Sequence, residues 1–332
     1  MHMADALVSP AVAGTMLACS GIAAGYSVYR VRLEEDQKKI PLMGIMGAFV
    51  FAAQMINFTI PGTGSSGHLC GGMMLSAILG PFGGFLAMIG VLLIQCLVFA
   101  DGGLLAIGCN IWNMAFYGCF IGAMLIWKPM MKNGASKKKI WAASLIGCIL
   151  TLQMGAFSVC VETLLSGITE LPFGVFAATM QPIHLAIGAV EGVITAVVLS
   201  FLYDARPELL WGVSGRGEAK LSFGRTLGVL AAAAAVIGGV LSLFASAFPD
   251  GLEWSMEKVA GTAELEAGAG IYETAARVQE ATAVLPDYAF KGSESAAGTT
   301  VSGLAGALIV VLLCVACCYL LRFFRRKGAA GS

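Results

Sequence analysis

The chain has 332 residues, 58% of them hydrophobic and only 12% charged, with a formal net charge of zero and a mean hydropathy of +0.84. No soluble domain of this length hides so much apolar surface, so lipid is the solvent for most of it. The balanced charge excludes the basic footprint of a nucleic-acid binder.

The chain opens MHMADALVSP, and a first apolar run near 6–28 follows with no basic residue before Arg30. Without a positive leading segment this run does not read as a signal peptide, and the bulky His2 predicts that the initiator Met is retained. A free terminal amine, the amide nitrogen of residue 2 and the His2 imidazole can close two fused chelate rings around one metal ion. The three nitrogens are coplanar, and a fourth nitrogen would complete a square that suits Ni(II) or Cu(II), with Co(II) possible. The imidazole must be neutral and the amide must lose its proton, so such a site strengthens as pH rises. Small residues Gly14/Ala18 and Gly21/Gly25 in the first run allow close helix contact, within the chain or with a partner.

A second apolar run covers 41–57, and then comes INFTIPGTGSSGHLCGG, a Gly/Ser/Pro-rich connection that carries His68. The long run 69–100 contains GPFGG at 80–84, where Pro81 and its glycines break a helix. It is therefore read as a short helix 69–79 and a second helix 84–100. The short one spans only about 16 Å at 1.5 Å per residue, against a hydrocarbon core of about 30 Å, so it must be buried among other helices or line a cavity. Further runs follow near 103–127, 140–167 and 172–203. Polar Gln54, Asn57, Ser65, Asn110 and Asn113 sit in apolar surroundings, either supporting a pocket or making helix-to-helix bonds. Asp101 opens DGG at a helix boundary and reads as an N-cap. His184 and Glu191 lie a heptad apart on one helical face inside a span, a functional candidate as well as a packing one.

Basic segments at 30–39, 128–139, around Arg206, Arg216, Lys220 and Arg225, and at 322–327 predict four cytoplasmic connections. The N-terminus is then outside, and the split at GPFGG is what makes the crossings add up. Seven helices precede the linker 204–225 and two follow, near 226–248 and 299–321. Between those two lies a polar segment, about 249–298, with nine acidic residues, expected outside. The expected architecture is thus an all-α integral membrane protein: a seven-helix core (1–203), a cytoplasmic linker, and a two-helix hairpin module (226–332) with an external acidic loop. The ten cysteines fall in or beside apolar stretches and read as small fillers. No GxxxxGK[ST] is present, so no ATP-binding P-loop is visible.

The opening MHMADALVSP, FAAQMINFTIPGTGSSGHLCGG (51–72), FADGGLLAIGCNIWNM (99–114) and HLAIGAVEG (184–192) resemble the CbiM/NikM family. That family supplies the membrane substrate-binding subunit of cobalt/nickel energy-coupling-factor (ECF) transporters. FPDGLEW (248–254) resembles the small partner CbiN/NikN, so the chain looks like a natural fusion of the two. The resemblance implies metal ligands at Met1, His2 and His68, with Ni2+ or Co2+ as transported cargo and no organic cofactor. It also implies partners: a transmembrane coupling subunit and a pair of ABC ATPases in the cytoplasmic (inner) membrane. The usual opening of the family is Met-His-Ile-Pro-Asp-Gly; here Met3, Ala4 and Ala6 depart from it, while Asp5 and Ser9-Pro10 remain. Two rival readings stay open, an intramembrane enzyme using His184 and Glu191, and a non-transporting metal sensor whose acidic loop captures the ion.

Overall fold

In the computed structural model the described residues are 1–31, 38–213, 219–263, 265, 267–293 and 295–330, the last six by backbone alone. Arg216, Glu264, Glu266 and Glu294 lie outside them, as do residues 32–37 and the side chains at 325–327.

Helix α1 (Pro10–Arg30) starts where Ser9 accepts the Val12 N–H and Pro10 occupies the first turn. Then come α2 (Lys39–Gln54), α3 (Gly72–Phe99), α4 (Ile107–Met131), α5 (Lys137–Ser166) and α6 (Phe173–Ala205). The C-terminal part supplies α7 (Phe223–Gly239), α8 (Gly251–Ala260), α9 (Ile271–Thr282) and α10 (Ala296–Ala330). Among the described residues six helices, α1, α3, α4, α5, α6 and α10, are long and apolar enough to cross a membrane, and α2 and α7 are shorter apolar helices. The protein is a mostly helical, multi-pass membrane protein.

Helix α3 doubles back on itself. Gly80 adopts φ +76° and ψ 167°, a conformation open to glycine and closed to most other residues, and Pro81 then starts a new helical run. A Cβ on Gly84 would lie 2.8 Å from the Ser76 nitrogen. In a continuous helix eight residues rise about 12 Å, so the contact requires a reversal at Gly80. The break read from GPFGG is therefore a turn between antiparallel helices.

Two features depart from the sequence pattern. The connection before His68 holds a small hairpin, β1 (Phe58–Ile60) and β2 (Ser65–Gly67), antiparallel with Phe58 opposite Gly67 and Ile60 opposite Ser65. Within α4 the stretch Trp112–Trp127 is wound as a π-helix. The small residues Gly14, Gly21 and Gly25 of α1 face away from the rest of the described chain: none of its atoms lies within 4 Å of a Cβ built on them.

The two ends of the bundle differ in chemistry. At one end Lys137 pairs with Asp204 at 2.6 Å, Lys128 stands 5.9 Å over the Trp211 ring, and Lys38 and Arg206 flank Phe223. Basic stretches far apart in sequence thus meet there, beside the Gly80 turn. At the other end lie the N-terminal segment, the β-hairpin, residues 100–106 and the polar C-terminal segment. That segment is not an open loop, because α8, α9 and a turn at Pro286–Tyr288 fold it over the core. Helix α10 packs on α2, with Val310 and Cys314 against Gly47. All ten cysteines are free.

Candidate metal centre

The amino terminus turns into the bundle rather than away from it. Met1 is 3% exposed and Met3, Leu7 and Val8 are fully buried. Buried main chain must find partners, and it does. The Met3 N–H donates to Asn110 Oδ1 at 2.7 Å, and the Met3 carbonyl accepts from Asn110 Nδ2 at 3.1 Å and from the Gly103 N–H at 2.9 Å. Asp5 accepts the Ala106 N–H at 2.9 Å at the start of α4. The register of the first three residues is fixed by these bonds.

They deliver the Met1 amine to His68. Its nitrogen lies 2.7 Å from His68 Nε2 and 2.5 Å from Asp250 Oδ2. His68 Nδ1 stands 3.1 Å from the Leu69 carbonyl, which can accept its proton and leave the Nε2 lone pair facing the amine. The His2 and His68 rings stack with centroids 5.2 Å apart. His2 Nδ1 is turned toward Asp101 Oδ1 at 3.1 Å, and Nε2 lies 3.2 Å from Gln95 Oε1. Met1, His2 and His68 are thus brought together, with the Met1 amine against His68 and the His2 ring turned toward Asp101.

Electrostatics act in opposite directions on the His2 imidazole and the Met1 amine. Burial drives the His2 imidazole down to about 4, outweighing the pull of Asp101, so it is neutral near pH 7. Burial also works against the Met1 ammonium, but the Asp250 carboxylate beside it raises the amine above its ordinary value. Burial opposes the charge on Asp250 likewise, and the ammonium holds its carboxyl well below the usual range. With the His2 ring turned to Asp101, no three His, Cys, Asp or Glu side chains among the described residues stand close enough to hold one metal ion.

His68 is set by α6. The Glu191 carboxylate accepts the Cys70 and Gly71 N–H groups, each at 2.9 Å, one on each oxygen. Gln54 Nε2 donates to the Cys70 carbonyl at 2.8 Å, and its Oε1 accepts from Gln95 Nε2 at 2.9 Å. Of the other polar residues singled out, Asn57 lines the adjoining cavity, Ser65 belongs to β2, and Asn113 donates to Glu162 Oε2 at 2.7 Å. Asp101 is not an N-cap. Helix α4 begins at Ile107 after Ala106, and Asp101 instead faces His2 and accepts the Tyr288 hydroxyl at 2.5 Å. His184 gives Nδ1 to the Met180 carbonyl at 2.8 Å, while its buried Nε2 has no partner among the described residues.

The residues that sequence reasoning missed come mainly from the C-terminal part. Asp250 and Tyr288 both reach the site, and the signal for Asp250 was the FPDGLEW motif itself. Phe248–Pro249 extends the hairpin: the Ser66 N–H donates to the Pro249 carbonyl at 2.8 Å, and Ser66 Oγ to the Phe248 carbonyl at 2.8 Å. Trp254 Nε1 donates to the Thr63 carbonyl at 3.0 Å. Gly251 sits where a Cβ would press 3.0 Å from His184 Cε1 and 2.9 Å from Ile187 Cδ1, which explains the glycine after Asp250. Beneath α8 and α9 a cavity of about 840 Å³ opens beside His2, His68 and Asp250.

Residues 2–209 match the family described as the cobalt uptake substrate-specific transmembrane region (CbiM), and residues 224–323 match the PDGLE domain. The chain is 37% identical over 316 residues to a putative fused nickel transport protein, NikMN, of Archaeoglobus fulgidus, covering 94% of this chain and 96% of that protein. It is 27% identical over 324 residues to a probable fused nickel transport protein, LarMN, of Lactiplantibacillus plantarum, again 94% and 96%. A crystal structure of a truncated transition metal transporter superposes with a TM-score of 0.53 at 30% identity, covering 61% of this chain and 98% of that one.

Proposed function

The chain belongs to the CbiM family and carries a PDGLE domain, and from that premise we propose that it is the metal-specificity component of an ECF-type ABC importer. Its cargo is a divalent transition metal, nickel or cobalt, with nickel favoured by the nitrogen donors and by the fused nickel transport relatives. The ligands are the Met1 amine, the His2 amide and imidazole, and His68 Nε2. The observation that carries this reading is the 2.7 Å approach of the buried Met1 amine to His68 Nε2. With metal–nitrogen bonds of about 2.0 Å, two neighbouring corners of a square lie about 2.8 Å apart. On metal entry the His2 ring swings from Asp101 to present Nδ1.

ATP hydrolysis belongs to partner subunits, and a transmembrane coupling subunit docks on the chain. The open face of α1 at Gly14, Ala18, Gly21 and Gly25 supports a helix contact of that kind. Seven crossings in residues 1–203, a linker at 204–225 and a two-helix module from 226 put the site outside and the basic end in the cytoplasm of the inner membrane. The enzyme reading finds little support, since both Glu191 oxygens are occupied by backbone donors. Accumulation of radiolabelled nickel by cells with and without the partner ATPases tests the function. ATPase-dependent uptake is expected. ATPase-independent retention would instead fit a sensor.

A further inference from the structure

We propose that Asp250 is itself a metal ligand, so that the C-terminal module supplies an oxygen to the site and does not merely cover it. This rests on Met1, His2 and His68 being the nitrogen ligands.

The three atoms Met1 N, His68 Nε2 and Asp250 Oδ2 form a triangle with edges of 2.7, 2.5 and 3.6 Å. A metal with bonds of about 2.0 Å to the two nitrogens would place an apical oxygen about 2.9 Å from each of them. The observed pair of distances brackets that value. Connectivity then decides where the oxygen sits. The amine has two in-plane neighbours, the His2 amide through the five-membered chelate ring and His68 across the open corner. No place in the square is left for a carboxylate, so Oδ2 takes the position above it.

The carboxylate is held for this role by its other oxygen. Asp250 Oδ1 accepts the Leu252 and Glu253 N–H groups at 2.8 and 3.0 Å as the cap of α8. Pro249 on one side is bonded to Ser66, and Gly251 on the other is seated against His184 and Ile187. Oδ2 is therefore left aimed at the amine by main-chain anchors, with no flexible tether to order. Asp101 is differently placed, with Oδ1 toward His2 Nδ1 and Oδ2 on the Tyr288 hydroxyl, whereas the oxygen on the amine is that of Asp250.

Charge supplies the reason. A divalent ion bound by three neutral nitrogens and one deprotonated amide leaves one net positive charge in a site whose ligands are buried. Asp250 neutralises it. The same oxygen pairs with the Met1 ammonium, so one carboxylate matches the charge of either cation.

Asp250→Asn is the discriminating variant. Asparagine keeps an oxygen to cap α8 but turns an NH2 group, which cannot ligate a metal, toward the site. X-ray absorption on the full chain loaded with nickel should show five nitrogen or oxygen neighbours in the wild type, the fifth being the Asp250 oxygen, and in Asp250→Asn four neighbours with the pre-edge peak of a planar site. Nickel affinity by competition titration should fall at least about tenfold in the variant. Glu253→Gln, which loosens the capping box through the 3.0 Å bond from the Asp250 N–H to Glu253, should keep the oxygen; its loss there would assign the effect to docking and overturn direct ligation. Identical coordination and affinity in wild type and Asp250→Asn would also overturn it. His68→Ala separates the two levels. If it binds nickel like the wild type, the nitrogen-ligand reading itself fails; if it does not bind while Asp250→Asn is unchanged, only the role of Asp250 is rejected.

Discussion

Glu191 offers a sharp test of how the site is held, because its carboxylate touches no proposed ligand. It accepts the N–H groups of Cys70 and Gly71, two and three residues after His68. Hydrogen bonds to a charged group contribute about 1.5–3 kcal/mol each, and a buried donor left unpaired costs about 1–3 kcal/mol. Glu191→Ala removes both bonds and strands two donors, for a loss of about 3–6 kcal/mol spread over folding and loop placement. If about 1.4 kcal/mol of this falls on the placement of His68, nickel affinity drops about tenfold. Glu191→Gln keeps one acceptor and sets an NH2 group against the second N–H, so it should rank between Ala and the wild type in both properties. Thermal unfolding in detergent and a nickel competition titration on the same samples read the two effects. Wild-type stability and affinity in Glu191→Ala would refute the clamp.

Other predictions concern the ligands and the C-terminal module. His2→Ala and His68→Ala should each eliminate high-affinity binding in isothermal titration, while His184→Ala leaves measurable affinity; His184→Ala as the most damaging of the three would overturn the ligand assignment. Apparent nickel affinity should climb with pH, because the metal must displace a proton from an amine raised above its ordinary value of 8.0, whereas the His2 imidazole at about 4 is already neutral. A flat titration between about pH 6 and 8.5 would contradict a liganding amine. Truncation after residue 225 should leave a folded core that binds nickel more weakly and accumulates sharply less of it in cells. Full uptake by the truncated chain would remove the C-terminal module from loading.

The elements that were legible are those fixed by local chemistry. Apolar runs of span length marked the long helices, and GPFGG marked the reversal at Gly80, because Pro81 directly after a glycine breaks a continuing helix. The convergence of the basic stretches at one end followed from charge alone. Met1, His2 and His68 could be brought together from chelate chemistry and the resemblance, with only three histidines to choose from. Asp250 could not. It is 249 residues from Met1 and one of nine acidic residues in a segment that looked solvated. Asp101 was misread because DGG suggests a cap. The first-turn donor of α4, the Ala106 N–H, is instead satisfied by Asp5, a partner that only the folded-back terminus can supply. The π-wound stretch of α4 has no signature in residue spacing, and β1 and β2 at three residues each are too short for an alternating pattern to register.

In the proposed function the chain's own amino terminus binds the metal. Nickel affinity should therefore be compared between a C-terminally tagged protein that begins at Met1 and one extended by a few residues before it. The extension removes the amine from the chelate and pushes residues into a pocket where Met1 is 3% exposed. High-affinity binding is predicted for the first protein and its abolition in the second, with thermal unfolding showing both to be folded. Equal affinity in the two would rule out the terminal amine as a ligand.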